Sequence, residues 1–317
     1  MNIINKQKEG VDHYEKVGTK YFFGKPSESF NKLEAGIYTI NIDKTGSVYL
    51  DPMSAMTDTL IRLPEFTSEK IIKEVEKFWS TKTKAKFSKR KLVYKRGIIL
   101  HGKPGVGKSA CVAQIMEAEV NSGGIVFFAP SPNLLHYVMK CIREIENVDR
   151  RCLVVWEEFD SMLNRNESEF LSLLDGEMQI DNVVYLATTN YLDRIPNRFK
   201  NRPSRFASII EVGLPNDATR RAYLENKIYP EDKINLDDWV KATDGLTIDH
   251  IKDLIISVLC LDIPLQDAID RLTKIDYTKD DDEASLNSKR ELQRRMLMEN
   301  LFINHKYNLE EGNDDDF

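Results

Sequence analysis

Eight consecutive residues carry the clearest chemical signal in this chain: Gly102-Lys103-Pro104-Gly105-Val106-Gly107-Lys108-Ser109, a full match to GxxxxGK[ST]. Glycines at this spacing let a backbone wrap around phosphates with its N–H groups. A helix starting at the end of the loop adds the positive end of its dipole. Lys108 is then placed to reach the β- and γ-phosphates of a nucleoside triphosphate, and the Ser109 hydroxyl to ligate Mg²⁺. The plain alternative is a glycine-rich turn with an exposed lysine.

The flanking sequence favours the phosphate site. An apolar run, Gly97-Ile98-Ile99-Leu100-His101, precedes the loop, and a helix-compatible stretch from Ala110 to Glu119 follows it. About 50 residues on, a second apolar run, Cys152-Leu153-Val154-Val155-Trp156, ends in Glu157-Glu158. A P-loop fold places its acidic pair here, beside the Mg²⁺. Glu157 is assigned to the ion through water, and Glu158 to orienting and polarising the attacking water. A solvated strand end is the default reading of two such acids taken alone.

These sites need a scaffold, and the pattern from Arg96 to about Pro215 supplies one. Short β-branched runs at residues 97–101, 124–128, 152–156 and 182–187 alternate with helical segments, which implies a parallel sheet covered by helices on both faces. Between the second and third runs, Leu134, Leu135, Val138, Cys141, Ile142 and Ile145 make one apolar helical face. Before this region, Ile37-Tyr38-Thr39-Ile40-Asn41-Ile42 alternates, the turn Asp43-Lys44-Thr45-Gly46 follows, and Ser47-Val48-Tyr49-Leu50 completes a predicted hairpin. Ser68 is placed to cap a helix carrying Ile71, Ile72, Val75, Phe78 and Trp79. The expected division is therefore residues 1–67, a small module with a hairpin; 68–215, the α/β subdomain; 216–276, a small helical subdomain; and 277–317, a charged extension. That extension holds Asp280-Asp281-Asp282-Glu283, the basic pairs Lys289-Arg290 and Arg294-Arg295, and an acidic end closing on Phe317.

The ordered series of motifs resembles the AAA+ ATPases over roughly residues 64–275. It comprises Gly102 to Ser109, then Glu157-Glu158-Phe159-Asp160, Leu173-Leu174-Asp175-Gly176, Ala187-Thr188-Thr189-Asn190, and Arg202-Pro203-Ser204-Arg205-Phe206. The resemblance implies a P-loop α/β module with a helical lid, ATP and Mg²⁺ as ligands, hydrolysis of ATP to ADP and phosphate, and work on a macromolecular client as a homo-oligomeric ring, a hexamer or similar. It makes Asn190 the polar sensor that hydrogen-bonds the attacking water or the γ-phosphate; satisfaction of backbone groups is the structural alternative. Arg202 and Arg205 take the positions of the family's paired arginine fingers, which enter the neighbouring subunit's ATP site, where a guanidinium can bridge developing phosphate charge. Plain surface charge is the alternative for both. Thr243-Asp244-Gly245-Leu246-Thr247 resembles the lid segment packed by the nucleotide base, with Gly245 allowing close approach; a helix-initiating turn capped by Thr247 is the equal alternative.

Within the family, residues 94–105, preceded by a helix containing Glu74 to Phe78, are most similar to the mitochondrial translocase that exports a folded Rieske iron–sulfur protein. A stand-alone AAA+ protein of the kind bacterial viruses carry fits equally well. The sequence departs from the family at Glu157, where Asp is usual, and at the bulky Trp156. After residues 124–128 it lacks the aromatic–hydrophobic–Gly pore loop with which unfoldases grip a threaded chain, and Tyr137 reads as part of a helix.

Composition bounds the remaining choices. The formal net charge of −6 weighs against a dedicated nucleic-acid binder, although the basic stretch Lys82 to Lys95 or the cluster Lys289 to Arg295 could serve a DNA-directed loader. A protein client is the first expectation, nucleic acid the second, and an assembly protein gated by ATP the third. The sequence has no apolar run near the roughly 20 residues of a membrane span, and MNIINKQKEG has no signal-peptide character, so a cytoplasmic protein without membrane contact is expected. Cys111, Cys141, Cys152 and Cys260, far apart in apolar surroundings, read as reduced core residues.

Overall fold

The computed structural model describes residues 13–17, 20–24, 31–53, 63, 67–129, 131–146, 149–232 and 234–274. The charged clusters after residue 274 and the acidic end lie outside them. The chain divides into two compact units, Met1–Asp262 and Ile263–Phe317. Among the described residues the second unit contributes one helix, α10 (Leu265–Lys274).

The first unit is built on one nine-stranded sheet in the order β1-β2-β4-β3-β6-β7-β8-β5-β9. The strands are β1 (His13–Val17), β2 (Lys20–Gly24), β3 (Gly36–Ile42), β4 (Val48–Pro52), β5 (Lys95–His101), β6 (Ile125–Phe128), β7 (Cys152–Trp156), β8 (Val183–Thr189) and β9 (Ser208–Glu211). From β3 to β9 every pairing is parallel. The four runs read from the sequence are β5, β6, β7 and β8. β1, β2 and β9 were not anticipated.

The hairpin forms with Tyr38 opposite Pro52 and Ile42 opposite Val48. It is not a separate layer: β3 pairs in parallel with β6, Ile37 opposite Val126, so the leading strands extend the sheet of the α/β region. Tyr38 and Ile40 are buried as the alternation requires, while Ile42, at the hairpin tip on the same face, is 56% exposed.

The central strands explain their own composition. Every residue of β7 and β8 is buried, so both faces of the sheet are covered, and β-branched and aromatic residues fill them without polar alternation. On one face Ile99, Phe127, Val154 and Tyr185 join a cluster with Leu135 and Val138 of α4 (Pro132–Ile145) and Phe159 and Phe170 of α5 (Phe159–Asp175). The alternate residues Ile98, Val126, Leu153 and Leu186 point to the other face and are equally buried. There α3 (Lys108–Asn121) packs on α1 (Thr67–Trp79).

Ser68 corrects one expectation. It lies inside the first turn of α1, fully buried, and its hydroxyl donates to Gln114 Oε1 of α3, so it ties two helices together instead of capping one. Cys111, Cys141 and Cys152 are buried free thiols, but Cys260, at the end of the π-turn that continues α9 (Ile248–Ile255), is exposed and not part of the core. Tyr137 sits within α4, its ring edge-on to Phe23 at 6.3 Å. The remaining helices are α2 (Thr81–Lys89), α6 (Asn197–Lys200), α7 (Asp217–Lys227) and α8 (Leu236–Ala242). Among the described residues no helix is long and apolar enough to cross a membrane.

Candidate functional site

Strand order decides what can meet at one end of this sheet. β8 lies between β5 and β7, with His101 opposite Thr189 and Ala187 opposite Trp156. The chain therefore leaves β5 into Gly102–Ser109, leaves β7 into Glu157-Glu158, and leaves β8 into Asn190, all at the same carboxyl edge. Ligands of open parallel sheets bind at such an edge, where neighbouring connections diverge.

The loop at residues 102–107 turns into α3 through Gly107, which has φ +96° in the left-handed region, a conformation a side chain would resist by about 1 kcal/mol or more. Lys108 is almost fully buried. Its Nζ donates to the carbonyl oxygens of Gly102 and Lys103, at 2.8 Å each, which holds the ammonium in the curl of the loop. Burial lowers the Lys108 pKa, and the Asp249 carboxylate opposes that shift. Lys103, Pro104 and Val106 complete the curl, with Val106 buried beneath it.

The side chain of Ser109, in the first turn of α3, lies close enough to the Glu157 carboxylate to act on its pKa. Burial raises the Glu157 pKa, the Ser109 hydroxyl partly restores it, and the neighbouring Glu158 raises it further. A hydroxyl and a carboxylate brought together at the head of a phosphate-binding loop form an oxygen donor set suited to a hard divalent cation, so these two residues fit Mg²⁺.

Glu158 adopts φ 51°, ψ 50°, a left-handed conformation uncommon for a non-glycine residue. Its backbone N–H donates to Thr188 Oγ1 at 3.2 Å, which ties the start of α5 to β8. One residue along β8, buried Thr189 donates its hydroxyl to Asp160 Oδ1 at 2.6 Å and accepts from the Tyr191 N–H at 2.9 Å. Asn190, half-buried, follows Thr189 at the strand end. Sequence reasoning singled out Asn190 within Ala187–Asn190 and missed the two threonines. A buried Thr pair between an apolar strand and a polar loop was the available signal.

The two arginines differ. Arg202 keeps a side-chain exposure of 60% and lies 3.6 Å from Asp175 Oδ2. Arg205 is buried: its Nη1 donates to the Arg198 carbonyl at 2.6 Å, its Nε lies 3.5 Å from the same Asp175 oxygen, and its guanidinium approaches the Phe199 ring at 5.9 Å. Burial lowers its pKa, with Arg202 acting in the same direction. Asp175 thus holds both arginines within the chain, a role the Leu173–Gly176 motif did not disclose.

The lid segment reaches the loop through residues other than the glycine singled out for it. Gly245 has φ +74° and shapes the turn between α8 and α9. Thr247 caps α9 in a reciprocal capping box with His250, as the structural alternative required. The contact itself belongs to Thr247 and Asp249: the Asp249 N–H donates to the Gly105 carbonyl at 3.2 Å, and a Cβ at Gly105 would lie 2.8 Å from Thr247 Oγ1. Buried Arg220 braces this arrangement, donating to the Pro215 carbonyl at 2.9 Å and pairing with Asp217 and Asp244 at 2.7 and 3.0 Å.

Comparison with known proteins agrees with this geometry. Residues 98–214 match the family described as ATPase family associated with various cellular activities (AAA). It is 27% identical over 226 residues to the proteasome-activating nucleotidase of Saccharolobus islandicus, covering 62% of this chain and 56% of that protein. Over 187 residues it is 27% identical to the ATP-dependent zinc metalloprotease FtsH of Mycoplasma genitalium, covering 50% of this chain and 26% of that protein. It is also 27% identical over 191 residues to the human ATPase family gene 2 protein homolog A, covering 53% of this chain and 21% of that protein. The chain spans about half the length of the nucleotidase and about a quarter or less of the other two.

Proposed function

We propose that this protein binds ATP with Mg²⁺ in the loop Gly102–Ser109, hydrolyses it to ADP and phosphate, and uses the cycle to rearrange or move a protein client as a homo-oligomeric ring. The observation that carries the reading is the meeting at one sheet edge of the loop after β5, with Lys108 Nζ held by the Gly102 and Lys103 carbonyls, and the Glu157-Glu158 pair after β7, because it gathers phosphate-binding and cation-binding groups. Bound Mg²⁺ would supply charge neutralisation on the phosphates, and Ser109 and Glu157 would hold it. Lys108 exchanges the loop carbonyls for phosphate oxygens, a charge-assisted contact of the strong kind. Glu158 accepts a proton from the attacking water, its backbone fixed by Thr188, and Asn190 orients that water or the γ-phosphate. Arg202, the more exposed arginine, enters the neighbouring subunit's site, and Arg205 supports it from below through Asp175. The turn at Gly245 and the helix start at Thr247 flank the base.

Two features support a protein client that is rearranged without being threaded. The relatives include a nucleotidase named for activating the proteasome and an ATP-dependent protease. The connection from β6 to α4 is only residues 129–131, and α4 then runs unbroken to Ile145, which leaves no aromatic loop of the gripping kind there. This agrees with the likeness of residues 94–105 to a translocase of a folded protein.

The test is affinity capture from the native host with Glu158→Gln and Mg·ATP, compared with Lys108→Ala. A protein retained only by Glu158→Gln supports the reading and names the client. Equal retention by both variants, or none by either, refutes an ATP-dependent client cycle.

A further inference from the structure

Six of the ten residues from Lys82 to Lys91 are basic and none is acidic, in a chain whose formal net charge is −6. They form α2 and its exit turn, and no residue of that helix is buried. Half-buried Phe87 anchors it, its ring edge-on to Phe78 at 6.0 Å and to Tyr94 at 5.1 Å. Lys82, Lys86 and Lys89, at i, i+4 and i+7, share one helical face and are exposed. Nearby acids are already engaged: Glu74 by Arg96, Glu76 by Arg151, and Asp149 by Lys84. Among the described residues no carboxylate pairs with Lys82, Lys86, Lys89 or Lys91.

Local physics disfavours part of this arrangement. Lys82 and Lys86, four residues apart, repel, and Lys82 in the first turn opposes the helix dipole that Lys86 and Lys89 in the last turn complement. The exit is a Schellman turn, with Lys91 N–H donating to the Ser88 carbonyl and Leu92 N–H to that of Phe87, at 3.0 and 3.1 Å. Lys91 occupies its left-handed position, φ 53°, where glycine is the usual residue. Lys82 and Lys91 thus sit against local preference at the two ends of the helix, a pattern expected where a surface serves a ligand and not the fold.

We propose that the exposed lysine face of α2 binds the phosphodiester backbone of a nucleic acid without reading its sequence. Lys82 to Lys89 spans about 10 Å along the helix, close to three phosphates of one strand at about 3.4 Å each. From Thr81 to Lys91 the side chains offer ammonium, guanidinium and hydroxyl groups but no amide or carboxylate, which suits backbone contact and not base reading. The face lies before β5, whose far end leads into the phosphate loop, a strand length of roughly 20 Å away, so both sites can be filled together. The proposal is independent of the client reading above.

The test measures fluorescence anisotropy of a labelled 30-nucleotide oligothymidine and of a 30-base-pair random duplex with the full chain across a salt series. The intact protein is expected to bind with affinity that falls steeply as salt rises. The triple variant Lys82→Gln/Lys86→Gln/Lys89→Gln should weaken binding at least tenfold and flatten the logarithmic salt slope by about 2 on the single strand. It should keep its ATP turnover, and Lys70→Gln/Lys73→Gln on α1 should bind as the intact protein does. Absence of salt-dependent binding, or a triple variant that binds like the intact protein, overturns the proposal. So does polyglutamate binding the same lysines as tightly as the oligonucleotide, which would assign the face to an acidic protein. Should the triple variant lose its fold, single Lys86→Gln and Lys89→Gln variants carry the test through the salt slope, expected to fall by about 0.7 each.

Discussion

Glu119 lies at the far end of the helix that begins with Lys108, and its environment sets a measurable pH dependence. The side chain is 2% exposed. One oxygen accepts from Trp79 Nε1 at 3.0 Å, and the other has no hydrogen-bond partner among the described residues. Burial pushes its pKa up from 4.5 to about 7, against the opposing pull of Arg151. Between these values the folded chain holds a proton that the unfolded chain releases, so stability falls as pH rises from about 4.5 to 7 and levels off above. A rise of that size corresponds to at most about 3.5 kcal/mol, at roughly 1.4 kcal/mol per pH unit. Glu119→Gln keeps an acceptor for Trp79 and removes the titration. Urea unfolding followed by tryptophan fluorescence, without nucleotide, should find the variant close to the parent at pH 5 and more stable by about 2–3 kcal/mol at pH 8. A gap of the same size at both pH values, or a variant less stable at pH 8, would refute the reasoning.

Lys108→Ala should weaken ATP binding by roughly 100-fold, from the loss of two charge-assisted hydrogen bonds, as read by titration of a fluorescent ATP analogue. Undiminished affinity would remove Lys108 from the phosphate site. Glu158→Gln should bind ATP as the parent does while turnover falls by about 10²-fold or more; preserved turnover would overturn its role as base. Arg202→Ala should lose turnover with an unchanged melting temperature and regain part of it when mixed with Lys108→Ala, whereas Arg205→Ala should also be destabilised by about 1 kcal/mol because it removes a buried side chain and its hydrogen bond to the Arg198 carbonyl. Equal melting temperatures for the two variants would contradict the difference in burial. Gly105→Ala places a Cβ 2.8 Å from Thr247 Oγ1 at φ +78°, so it should push the lid from the loop and raise KM for ATP. An unchanged KM would mean the contact does not matter for binding.

The α/β core was legible because its signals are local and redundant. β5, β7 and β8 each present an unbroken β-branched run, and the loop after β5 has a spacing that few other structures require. The acidic pair could be placed because it follows such a run. What escaped the sequence was long-range or conditional. β1, β2 and β9 are short, and β9, at the sheet edge, buries none of its four residues and leaves Ile209 38% exposed, so no apolar run marks it. Ser68 looked like a cap because hydroxyls favour helix starts, but Gln114, 46 residues away, supplied a better partner than the local backbone. Asp249 carried no motif that was singled out, and its contact with Gly105 appears only once α9 is folded against the loop.

The unequal burial of the arginine pair has a consequence for assembly. Arg205 is buried, hydrogen-bonds the Arg198 carbonyl of its own chain and keeps Asp175 at 3.5 Å, so withdrawing it would break both contacts. Arg202 shares only a long, solvent-screened contact with the same carboxylate, an interaction worth well under 1 kcal/mol. In the proposed ring, a phosphate in a neighbouring site would therefore draw Arg202 away at small cost but would not readily draw Arg205. When Arg202 leaves, Asp175 loses one cation and its hold on Arg205 strengthens. Asp175→Asn should therefore leave Arg202 free yet loosen Arg205, lowering stability while preserving some turnover, and a variant that lost turnover with unchanged stability would show that the carboxylate acts on the neighbouring site directly.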